Sequence, residues 1–179
     1  PVAEEIFQET KEELKSVYQV DLTWMDIKGF FSKLEEKGMA LNYSTLVGQG
    51  AIRGAAMGFN DRPPKPEELE RMKEMVAENI KNGAIGLSSG LEYAPSSFAQ
   101  ADEIIELCHV VAQYGGVYTT HLRNEGDRLI ESIQEAIDVA QKTGVSLQIS
   151  HFKIAYPRNW HKVDDALSKV EEAKKQEVD

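Results

Sequence analysis

The chain has 179 residues, 41% of them hydrophobic, which is enough for one domain with a substantial core and excludes a disordered polymer. Its 30 acidic residues outweigh 20 Lys and Arg for a formal charge of −10, which argues against wrapping nucleic acid or lying on an anionic membrane and favours a small-molecule partner. No apolar run approaches the roughly 20 residues that cross a bilayer, and Cys108, the only cysteine, excludes an internal disulfide and fits a reducing, cytoplasmic setting.

In chain order, residues 1–38 read as a helical lead-in and 39–179 as successive βα units. The first predicted helix, about 3–18, sets Ile6, Phe7, Leu14 and Val17 on one face; the second, about 24–37, sets Ile27, Phe30, Phe31 and Leu34, with Thr23 and Asp26 as a capping pair. MALNYSTLV is strand-like, and GQGAIRGAAMGFNDRPPKP reads as a turn-rich region. A helix from Pro66 follows, with Leu69, Met72, Val76 and Ile80 inward. AIGLS is a short buried strand, and the helix near 100–114 carries Ile104, Ile105, Cys108, Val111 and Ala112. GVYTTH is the next strand, Ile130, Ile133, Ile137 and Ala140 mark a helix near 127–142 that Gly144 closes, VSLQISH is the last strand, and Val163, Ala166, Leu167 and Val170 mark a last helix. Strands separated by helices indicate a parallel sheet covered by helices. Polar residues gather after the strands' carboxyl ends, where a (β/α)₈ barrel keeps its active site. Such a barrel takes about 250 residues, so about four parallel strands alternating with helices make a partial TIM-type barrel. The opening on Pro1 and the stop at Asp179 within a charged helical pattern read as a fragment.

Two strand-like runs end in histidine, His121 in GVYTTHLRNEGD and His151 in VSLQISHFK, 30 positions apart, about one βα repeat. Alternation puts His121 on a face with Thr119, and His151 with Ile149 and Lys153. Imidazole is a good zinc ligand, and catalytic zinc takes about three protein ligands, so two histidines form an incomplete metal site; a hydrogen-bonded structural role fits the spacing equally well. His109 reads as solvent-exposed, His161 as a loop residue and Cys108 as core packing. Ser88 and Ser89 lack the GxSxG surroundings of a nucleophile.

The motifs VGQGAIRGAAMG, NGAIGLSSGLEYAP, GGVYTTHLRNEGD and QISHFK, in this order, resemble the central part of the N-acyl-D-amino-acid deacylases, the D-aminoacylase family of metal-dependent amidohydrolases, from about Trp24 to Lys153. The resemblance implies a (β/α)₈ barrel with a small β-domain, hydrolysis of the N-acyl group of a D-amino acid, and one or two Zn²⁺ ions. It implies that His121 and His151 are metal ligands, that Tyr93 in GLEY hydrogen-bonds the developing oxyanion, and that Lys153 pairs with the substrate carboxylate. Arg123 and Glu125 are expected to pair and to orient the loop around His121.

The family's early HxH pair, its cysteine ligand and its late aspartate have no counterpart here, so the 179-residue chain alone is expected to be inactive, to bind metal weakly and to self-associate through exposed sheet edges. Gln49 stands where the related motif usually has histidine, so no ligand is assigned there, and either a changed pocket or altered local hydrogen bonding is expected. A dihydroorotase- or hydantoinase-like cyclic-amide hydrolase and a degenerate, metal-free binding barrel are the alternatives. In the first, Lys153 would be carbamylated, which its position two residues after His151 disfavours.

Overall fold

The computed structural model describes residues 4–179, with side chains from Phe7 onward. Two helices, α1 (Glu4–Tyr18) and α2 (Ile27–Lys37), precede β1 (Thr45–Gly48), α3 (Gln49–Met57), α4 (Pro66–Lys81), β2 (Ala84–Gly90), α5 (Ala101–Gln113), β3 (Val117–His121), α6 (Leu129–Thr143), β4 (Ser146–Ile149) and α7 (Val163–Lys175). The four strands are parallel and lie in sequence order, β1-β2-β3-β4. This open sheet, with helices in each crossover, is consistent with part of a TIM barrel.

Register explains which side of the sheet the helices cover. Leu87, Tyr118 and Leu147 align across β2, β3 and β4, and they pack with Met72 and Val76 of α4 and Ile104, Leu107 and Val111 of α5. Each such fully buried aliphatic side chain contributes about 1.5–3 kcal/mol. A second cluster, Leu129, Ile133 and Ile137 of α6 with Ala166 and Ala173 of α7, continues the layer toward β4. The opposite face of β3, bearing Val117, Thr119 and His121, is only half-buried. His121 therefore projects away from the helical layer.

Several expectations shift. The strand expected over MALNYSTLV is confined to Thr45–Gly48, and the turn-rich stretch after it contains a helix, α3. Small residues make that helix useful: a Cβ at Gly50 would lie 2.8 Å from Ser96 Oγ, so glycine lets α3 approach the 3₁₀ turn Ser96–Phe98. Helix α2 starts at Ile27, because Asp26 itself is the N-cap, accepting from the Gly29 amide at 2.7 Å. Phe30 and Phe31 instead join Tyr43, and Phe30 joins Trp24, in an aromatic cluster. In α1, Phe7 is buried but Val17 is 63% exposed, so only part of the expected stripe is used; the side chain of Ile6 lies outside the described residues.

Gly86 marks the tightest approach within the sheet. Its φ is +157°, and a Cβ there would run into the backbone of Val117 on β3. Gly86→Ala should therefore destabilise the protein by about 2–3 kcal/mol, through backbone strain and overpacking together. A lower urea midpoint at unchanged slope is the expected signature; an unchanged midpoint would mean that β2 and β3 have room to part.

Candidate metal centre

His121 is the last residue of β3, and His151 follows the end of β4 by two positions. Continued alternation would have put His151 on the helix-covered side with Ile149. Instead the strand ends at Ile149, the Ser150 amide still bonds the Thr120 carbonyl at 2.9 Å, and His151 adopts a left-handed φ of +35°. This turn swings the ring toward His121, and non-glycine residues in that region store about 1–3 kcal/mol of strain. His121 Nδ1 and His151 Nε2 then face each other at 3.0 Å, with the rings near perpendicular.

The far nitrogen of each ring meets a carboxylate. His121 Nε2 lies 2.9 Å from Glu92 Oε2, and His151 Nδ1 lies 3.1 Å from Glu125 Oε1. Glu125 is buried, and its other oxygen forms an ion pair with Lys153 Nζ. Lys153 Nζ is also 3.1 Å from His151 Nδ1. Potential donor atoms of His121, Glu125 and His151 lie within 4.8 Å of one another. The set fits zinc on two counts. Two Zn–N bonds of about 2.0–2.1 Å bring their nitrogens to about 3–3.4 Å, and a carboxylate on the remote nitrogen of a ligating histidine fixes its tautomer and raises its basicity.

Tyr93 sits beside this pair, its ring centroid 5.1 Å from that of His121 and its side chain 60% exposed in the turn after β2. The expected Arg123–Glu125 pair does not form. After His121 the chain bends, so the two side chains diverge: Glu125 joins the histidines, and Arg123 turns to Glu135 of α6 (2.8–3.2 Å) and to the carbonyls of Ser97 (3.1 Å) and Ala99 (2.9 Å). Glu92 was not singled out by sequence reasoning, although it stands next to Tyr93 in GLEY; a carboxylate adjoining an expected site residue was the available signal. His109 and His161 are exposed, and Cys108 is buried, which pushes its thiol pKa up and keeps it inert. Ser89 is bound to Tyr118 Oη (2.8 Å) and Thr120 Oγ1 (2.9 Å) under the sheet, a structural role.

Two polar networks support the mouth of the sheet. After β1, Gln49 donates to Glu103 Oε1 at 2.7 Å, and Arg53 pairs with the other oxygen of the same carboxylate while donating to the carbonyls of Asn60 and Arg62. All three side chains are buried. Between the loops after β3 and β4, Asp127 accepts from Arg158 twice and from Asn159, each at 2.9 Å. Arg158 and Asn159 hold its carboxyl well below the usual range. The loop carrying Glu125 is thereby tied to the segment that follows Lys153.

No protein-family model matches the chain. It is 34% identical over 154 residues to an N-acyl-D-glutamate deacylase and 31% identical over 144 residues to a D-aminoacylase, both of Alcaligenes xylosoxydans xylosoxydans; these matches take in 86% and 80% of the chain but 32% and 30% of the relatives. Among solved structures, the N-acyl-D-glutamate deacylase of Bordetella bronchiseptica, complexed with zinc and a phosphonate mimic of the tetrahedral intermediate, superposes with a TM-score of 0.82 at 32% identity, covering 86% of this chain and 32% of that one. A D-aminoacylase crystal structure described as defining a novel subset of amidohydrolases gives 0.79 at 30% identity, covering 83% and 31%. The chain thus spans about a third of the length of the relatives it matches. Over about 86% of its own length it is homologous, in sequence and in fold, to the D-aminoacylase family of metal-dependent amidohydrolases.

Proposed function

We propose that this chain is the central portion of a zinc-dependent deacylase that hydrolyses the N-acyl amide bond of N-acyl-D-amino acids. The carrying observation is the facing pair of His121 Nδ1 and His151 Nε2, each ring backed by a carboxylate, in a chain similar to deacylases. His121 and His151 would hold the ion, while Glu92 and Glu125 accept the remote ring protons and fix both tautomers. When bound, zinc supplies Lewis acidity toward an amide carbonyl and makes water a nucleophile near neutral pH. Tyr93 donates its hydroxyl proton in a hydrogen bond to the carbonyl oxygen as that oxygen gains negative charge. Lys153 has three N–H donors, so it can keep Glu125 and still offer N–H to the carboxylate of the substrate. It is half-exposed, as an anion-binding group at a site mouth must be.

The full-length protein, stripped with a chelator and reloaded with zinc, tests this reading. Release of free amino acid from N-acetyl-D-glutamate or N-acetyl-D-leucine should disappear on chelation and return with zinc, with the L-enantiomers at least tenfold slower. Opening of hydantoin or dihydroorotate without any deacylation would replace the proposal with a cyclic-amide hydrolase. Retention of ligand binding with neither activity would point to a degenerate barrel.

A further inference from the structure

The Tyr93 side chain is exposed, so packing does little to fix its hydroxyl, and the backbone that carries it must do so. That backbone is the segment 91–99, which leaves β2 and reaches α5 through the 3₁₀ turn Ser96–Phe98. At its start the segment is pinned to the sheet: the Leu91 amide donates to the His121 carbonyl at 3.1 Å and the Tyr93 amide to the Gly90 carbonyl at 3.0 Å. At its end the Ser97 amide donates back to the Tyr93 carbonyl at 2.8 Å, which makes the 3₁₀ turn and the Tyr93 peptide one hydrogen-bonded unit.

Arg123 holds that unit from behind. Its Nη1 donates to the Ser97 carbonyl at 3.1 Å and its Nη2 to the Ala99 carbonyl at 2.9 Å, while Nε and Nη2 grip the Glu135 carboxylate. Among the described residues, Arg123 supplies the side-chain hydrogen bonds to the backbone of 91–99. A planar guanidinium can meet a carboxylate and two carbonyls at once, a geometry that a lysine ammonium does not reproduce. Arg123 also stands two residues beyond His121, so one side chain spans the loop that follows the metal-facing histidine and the turn that presents the phenol. His121 is anchored independently, as the last residue of β3 in register with Gly90. The turn depends more on the guanidinium. An oxyanion donor must stand about 2.7–3.1 Å from the developing charge, and a tilt of the turn is magnified at the far end of the tyrosine ring.

We propose that Arg123 is a positioning residue for the oxyanion donor: by holding the Ser97 and Ala99 carbonyls, it sets where the Tyr93 hydroxyl stands relative to His121. Glu135 acts one step further back, fixing the plane of the guanidinium. The inference rests on the deacylase reading above and on the role given there to Tyr93.

The test uses the full-length, zinc-loaded protein and whichever of N-acetyl-D-glutamate and N-acetyl-D-leucine it turns over faster. Arg123→Lys should lower kcat about tenfold, within the scale of a slightly misplaced catalytic group. KM and the zinc bound per chain should change by about twofold at most, because the groups that bind substrate and metal stay in place. The decisive measurement is the same substitution in a Tyr93→Phe background, where the hydroxyl is already gone. There it should cost about twofold or less, since two changes that remove one interaction do not add. Glu135→Gln, which keeps an acceptor but removes the countercharge, should show the same pattern at about threefold, and it serves if Arg123→Lys does not fold. A further loss of about tenfold in the Tyr93→Phe background would overturn the inference, because Arg123 would then act on something other than the phenol. An unchanged kcat in Arg123→Lys would overturn it while leaving the deacylase reading intact. So would a fall in kcat matched by lost zinc or a raised KM, which would assign Arg123 to His121 or to Lys153 instead. Full-rate turnover by Tyr93→Phe alone would defeat the oxyanion role and the inference together.

Discussion

Glu103→Ala should destabilise the protein by about 3–5 kcal/mol, the cost of leaving a charge buried after its partner is removed. Arg53 is wholly buried, and Glu103 is the carboxylate that answers its charge while also accepting from Gln49. Truncation leaves the guanidinium with the carbonyls of Asn60 and Arg62, which supply acceptors but no countercharge. Glu103→Gln should cost less, because an acceptor oxygen is kept. Urea denaturation of both variants measures the difference. A loss below about 1 kcal/mol for Glu103→Ala, the value of an exposed pair, would mean that water reaches Arg53 and that the network is not the anchor of α3.

A second large effect is expected in catalysis by the full-length protein. Tyr93→Phe should lower kcat by about 10²–10³, as the loss of one oxyanion donor does, with KM little changed. The phenol is exposed beside His121, so its hydroxyl has no burial role that the substitution would disturb. Lys153→Ala should behave in the opposite way, raising KM by about tenfold or more with a smaller change in kcat, because a charge-assisted bond to the substrate carboxylate acts in ground and transition states alike. Full-rate turnover by Tyr93→Phe where chemistry limits kcat would return the GLEY turn to a packing role.

Much of this arrangement was legible in the residues. Strands ending in GVYTTH and AIGLSSG are short and apolar, and the helices between them repeat Leu69, Met72 and Val76, or Ile104, Cys108 and Val111, at helical spacing, so the alternating parallel fold follows from pattern. Helix α3 was hidden because two glycines in nine residues, with Gly48 and Gly58 flanking them, mimic a turn, whereas here Gly50 serves close packing. His151 was legible as a residue but not in its direction. Alternation breaks where the backbone turns left-handed, and nothing in SHFK announces a positive φ as a glycine would. The partners of Arg123 and Glu125 were lost for a related reason: charge adjacency in LRNEGD says nothing about a bend between the two, and the true partner of Arg123 lies 12 residues on, in α6. Gln49 donates to Glu103, 54 positions away, a partner that is visible only in three dimensions.

Arg123 ties three successive units at one point: the chain just beyond β3, the carboxylate of Glu135 on α6, and the carbonyls of Ser97 and Ala99 ahead of α5. In evolutionary terms this divides the outer surface unequally. Most solvent-facing positions of α5 and α6 are free to drift, since they touch nothing that the histidines feel. Glu135 is different, because a neutral or shorter side chain there would slacken the guanidinium and, through it, the short run of backbone on which both His121 and Glu125 are mounted. One acidic position on an outer helix is therefore held in place by a site that it never touches, in contrast to its exposed neighbours on the same helix.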